Sequence, residues 1–99
     1  MRAHGMAGDV LRMHDEDVQF CAMEARGVGP AFHGHLALHV LLRGDGSVAE
    51  ASVRPLTPVA STAEASTHVL QGCLEAAAYS WAFPFTGQPR EMTLPITVQ

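Results

Sequence analysis

The stretch from Val69 to Pro84 constrains the fold most. At 100° per residue, Val69, Leu70, Cys73, Leu74, Ala77 and Trp81 fall on one arc of about 140°, the stripe by which an amphipathic helix buries itself. Glu64, His68, Gln71, Glu75 and Tyr79 fill the opposite arc. The helix therefore needs an apolar surface to cover, and Cys73 points toward it. Ser61-Thr62-Ala63-Glu64 has the spacing of a capping box and opens the helix. Beyond it, Trp81-Ala82-Phe83-Pro84 takes the chain through an aromatic corner, because proline cannot continue a helix.

The surface to be covered is a sheet. From His35 to Leu42 the residues alternate, with Leu36, Leu38, Val40 and Leu42 on one face and His35, Ala37, His39 and Leu41 on the other. Arg43-Gly44-Asp45-Gly46 reads as a tight hairpin turn. A second strand follows from Ser47 to Arg54, and the loose spacing of Val48, Ala51 and Val53 predicts a bulge near Ala49. After the breakers Phe85-Thr86-Gly87-Gln88-Pro89, the run Met92, Leu94, Ile96 and Val98 alternates with Thr93, Pro95 and Thr97 as a third strand. Pro95 has no N–H to give a ladder, which places that strand at a sheet edge.

A first helix runs from Asp9, a good N-cap residue, to Arg26, with Gly27 as its stop. Val10, Leu11, Val18, Cys21, Ala22 and Ala25 share its apolar arc, and His14 lies inside that arc as a partly buried histidine with one hydrogen bond. Residues 1–8 carry no pattern and read as a disordered or linker remnant, leaving residues 9–99 as one domain. The order is helix, strand, strand, helix, strand. A right-handed crossover then pairs the third strand with the first. The expected fold is α+β: a three-stranded antiparallel sheet in the order second–first–third, with both helices packed on one face.

Charge and motif exclude more than they assign. The net charge of −4 and six scattered arginines give no basic stripe for nucleic acid. No run of eighteen apolar residues could span a membrane, and the start lacks the apolar core of a signal peptide. Export or anchoring would require a segment outside this sequence. Cys21 and Cys73, 52 positions apart, fit neither a CxxC motif nor a zinc site. Their spacing fits one disulfide or two buried thiols. No nucleophile with an ordered base can be assembled, Glu16 and Glu24 read as solvated surface, and an enzyme with a cofactor is not expected.

Several landmarks occur in a familiar order: Cys21 in the first helix, Gly34 before an apolar strand, and Gly44-Asp45-Gly46-Ser47-Val48 at the hairpin. Cys73-Leu74, Trp81-Ala82-Phe83-Pro84 and a last strand holding Pro95 complete the set. Over about residues 18 to 99 the chain resembles the C-terminal domains of myxobacterial AgmX/PglI-type proteins, which belong with the wider TonB C-terminal domains. The resemblance implies a periplasmic, non-enzymatic interaction module of a cell-envelope protein, joined to a membrane only through another segment. It implies a Cys21–Cys73 disulfide, kept by an oxidising compartment. It also implies that an envelope protein or peptide is captured by addition to the third strand, along Met92, Thr93, Leu94, Pro95, Ile96 and Thr97. Homodimerisation through that strand is a variant of the same reading. The alternative is a metal-binding accessory domain using His33, His35 and His39, with Glu50 as a nearby carboxylate.

Overall fold

The computed structural model describes residues 9–84 and 87–98. The expected tail at residues 1–8, Phe85 and Thr86 of the expected loop, and Gln99 lie outside them. The first helix comes in two pieces rather than one. Residues 9–13 are helical, the run breaks at His14, and α1 (Asp15–Arg26) continues. His14 leaves helical angles (φ −115°, ψ 23°) where its ring turns onto Trp81. Hydrogen bonds still cross the break, from the His14 amide back to the Val10 carbonyl and from the Val18 amide to that of His14. Asp15, Glu16 and Asp17 fill the first turn of α1, where the helix dipole favours negative charge.

The strands are β1 (Gly34–Leu42), β2 (Val48–Pro55) and β3 (Arg90–Val98), with α2 (Glu64–Ala78) between the last two. Their order in the sheet is β2–β1–β3, antiparallel throughout, as the sequence predicts. The bulge also falls where the spacing puts it: pairing steps from Leu41–Glu50 to Leu42–Val48 and leaves Ala49 over. The capping box does not form. Ser61–Ala63 is a 3-10 turn with no side-chain cap. In its place the Ser66 and Thr67 hydroxyls donate back to the Ala63 carbonyl at 3.0 and 2.7 Å.

Leu36, Leu38, Val40 and Leu42 lie buried beneath the helices with Val53, Leu94 and Ile96. Leu70, Leu74 and Ala78 of α2 and Cys21 and Ala25 of α1 close over them. A disulfide joins Cys21 to Cys73, with Cα atoms 5.5 Å apart, and ties α1 to α2. Helix α2 ends at Ala78, three residues short of Trp81, yet the indole is only 2% exposed. It enters the core from the turn after the helix rather than from the helix stripe. Its Nε1–H donates to Asp17 Oδ2 at 2.9 Å, and the His14 ring lies flat on it, centroids 4.7 Å apart.

The aromatic corner and the hairpin meet. The Phe83 amide donates to the Gly46 carbonyl at 2.9 Å, and Ser47 bridges Ala82 across the same junction. Gly46 holds φ at 88°, and a Cβ there would run into the Phe83 carbonyl, so the position requires glycine. Among the described residues, no helix is long and apolar enough to cross a membrane.

Candidate functional site

A three-stranded sheet with β1 in the centre offers two edges and one uncovered face. The edges differ. On β2, Val53 donates its amide to Glu75 Oε2 at 2.8 Å and accepts from Gln71 Nε2 at 2.8 Å. One turn on, the Ala51 amide donates to the Tyr79 hydroxyl at 3.3 Å. Gln71 and Glu75 on α2 and Tyr79 at its C-cap stand at i, i+4 and i+8, one row along the helix. The helical wheel assigns this row to solvent. It instead closes the β2 edge, because α2 lies far enough toward that edge for long polar side chains to reach its backbone. Sequence periodicity carries no signal for which strand a helix overhangs.

The same bonds fix which way β3 presents its backbone. A residue of an antiparallel pair turns both its N–H and C=O to one side. Val53 turns them away from β1, so its partner Leu38 turns its own toward β3 and Leu94. Met92, Leu94 and Ile96 therefore bond to β1. Glu91, Thr93, Pro95 and Thr97 turn outward. Pro95 thus removes a donor from the outer side of β3 and leaves its carbonyl there, as expected of an edge strand. Beside the end of this edge lies a cleft of about 340 Å³ between α1, α2 and β3, walled by Val18, Ala22 and Arg26 and closed by Leu70, Leu74 and Val98. Of the expected docking residues, Thr97 lines this cleft, and Met92 to Ile96 run away from it along β3. The side chains of Leu94 and Ile96 are buried, so they contribute backbone position and core rather than contact surface.

Of the three candidate histidines, His35 and His39 stand on the uncovered face, whereas His33 precedes β1 as an exposed residue outside the ladder. His35 sits opposite Thr97, with Nδ1 and Oγ1 3.3 Å apart, and His39 opposite Thr93 at 3.2 Å. His39 Nε2 is 3.9 Å from a Glu91 oxygen, and Glu50 sits one row on, opposite Leu41. Among the described residues, no group of three His, Cys, Asp or Glu side chains is placed to hold a metal ion. Hydroxyls, not each other, are the partners of His35 and His39. At the hairpin, Asp45 accepts from the Ser47 hydroxyl at 2.6 Å and the Ser47 amide at 2.9 Å, and these bonds hold its carboxyl below the ordinary value of 3.8.

No match is found among protein-family models, curated proteins or solved structures. The functional reading therefore rests on geometry: one closed edge, one open edge with a cleft beside it, and a polar face.

Proposed function

We propose that this domain is a non-enzymatic interaction module that takes up an extended peptide of a partner protein along the outer edge of β3. The observation that carries this reading is the asymmetry of the edges. Tyr79, Glu75 and Gln71 occupy the β2 edge, whereas the outward backbone groups of Glu91, Thr93, Pro95 and Thr97 make no described backbone pairing. Main-chain hydrogen bonds supply affinity in such strand addition, and side-chain pockets supply selectivity. The cleft between α1 and Val98 is placed to receive side chains from the inner face of an added strand. The Cys21–Cys73 bond supports an oxidising compartment, which for a TonB-like envelope protein is the periplasm. In this reading a transport or gliding-associated envelope protein is the source of the domain, and a second copy of β3 is a competing occupant.

Strand addition makes a parity-specific demand on amide exchange. With a nonapeptide selected from a random displayed library, the amides of Glu91, Thr93 and Thr97 slow. Those of Met92, Leu94 and Ile96, already bonded to β1, change little. Replacing Thr97 by Pro removes a second outward donor and abolishes the effect. Slowing confined to His35, His39 and Glu50 would place the partner on the sheet face and defeat edge pairing.

A further inference from the structure

The uncovered sheet face carries a second, independent feature. Arg54, Ala37 and Pro95 form one cross-strand row, and Ser52, His39 and Thr93 form the next. Ala37 contributes only a methyl group between longer neighbours, which leaves a depression of about 250 Å³ over it. Ala37, His39, Ser52, Arg54 and Thr93 line the hollow, and Ala37 is its buried floor. Across a sheet, opposite side chains on one face start about 5 Å apart, so these groups converge on a space of one small group.

The chemistry of the rim is that of an oxyanion site. Arg54 makes no hydrogen bond or ion pair with any described residue, although the chain is net negative at −4. The Ser52 hydroxyl is likewise uncommitted among the described residues. His39 is held by Thr93 at 3.2 Å and lies 3.9 Å from Glu91. Glu91 and Glu50 lie one row further toward the hairpin, flanking Leu41. The face is thus polarised, with its free cation at one end and its carboxylates at the other. A guanidinium beside a free hydroxyl matches the fork of acceptors on a phosphate or carboxylate.

We propose that the hollow over Ala37 binds an oxyanion, the phosphate or carboxylate group of a small ligand, through Arg54 and Ser52, with Thr93 completing the rim. This site uses side chains on the sheet face, Thr93 included, whereas the edge uses outward backbone groups, so it does not depend on peptide capture there.

The test is a chemical-shift titration of the intact chain with sodium phosphate at pH 7. Sodium chloride at matched ionic strength is the reference, and sodium acetate is a second arm. Phosphate is expected to shift the Ala37, Ser52, Arg54 and Thr93 amides saturably, with Kd on the order of 1 mM. Ala37→Val fills the hollow without changing charge in a strand-compatible way, and weakens binding at least about tenfold, as does Arg54→Gln. Acetate reproducing the shifts assigns a carboxylate ligand, and a response to phosphate alone assigns a phosphate. Non-saturating shifts, shifts centred on Arg26 or Arg90, or Arg54→Gln binding as tightly as the parent would overturn the proposal. So would unchanged affinity in folded Ala37→Val.

Discussion

At the scale of single residues, the structure turns on how two side chains settle one indole. Trp81 is buried with its N–H bonded to Asp17 and its face covered by His14. Trp81→Ala should cost about 3–5 kcal/mol, a large share of a small domain's stability, measured by denaturant unfolding. Asp17→Ala keeps the ring but strands its donor, at a cost of about 1–3 kcal/mol. If Asp17→Ala proves neutral, the indole N–H has another partner. Sequence spacing identifies Trp81 as core but assigns it to the helix stripe. The miss is physical: a turn after Ala78 delivers the ring to the place that a continued helix would reach. His14 was legible as half-buried, but its stacking on a residue 67 positions away (81 − 14) leaves no local trace. At the hairpin, Asp45 has a folded-state pKa below its unfolded value, chiefly through the Ser47 hydroxyl. Its contribution is therefore present above the ordinary value of 3.8 and is lost as pH falls through the lower folded value. Acid titration by NMR should show the Ser47 amide moving in that range, and Asp45→Asn should remove the transition.

At the scale of elements, period and punctuation made the sheet legible. The alternation in β1 and β3, the bulge at Ala49 and the edge position of Pro95 all follow from two-residue periodicity or a missing N–H. What periodicity does not encode is lateral placement. The polar row Gln71, Glu75 and Tyr79 looks like solvated surface on a wheel, and only the offset of α2 toward β2 turns it into an edge cover. That cover is testable. In the double variant Gln71→Ala/Glu75→Ala, the amide of Val53 should exchange faster, and stability should fall by about 2–4 kcal/mol for one neutral and one charge-assisted bond. An uncovered β2 is also a template for another chain. The variant should therefore sediment with a mass that depends more steeply on concentration than the parent's. A monomeric variant with unchanged Val53 exchange would mean that water replaces the two side chains without loss.

At the scale of the whole molecule, the domain is a sheet braced by α2, with α1 held to the rest chiefly through α2. The Cys21–Cys73 bond sits at that junction. Spacing alone left a disulfide and two thiols equally open; the juxtaposition of the helices decides between them. Closing a loop of some fifty residues is worth about 4 kcal/mol in the chain-entropy account, so reduction should lower Tm by at least about 10 °C in a domain of this size. The location of the loss is the sharper test. The sheet keeps its ladders and its cover from α2 when the bond is cut, whereas α1 loses its covalent tie and retains only its packing. In Cys21→Ser/Cys73→Ser, amides of residues 15–26 should therefore open at lower free energy than those of β1, as a separate unit. The cleft beside Val98, one wall of which is α1, should loosen with them, and peptide uptake at β3 should weaken while the amides of Leu38 and Val40 stay protected. If helix and sheet amides lose protection in step, α1 is integral to a single cooperative core, and the disulfide stabilises the whole fold rather than the wall of the cleft.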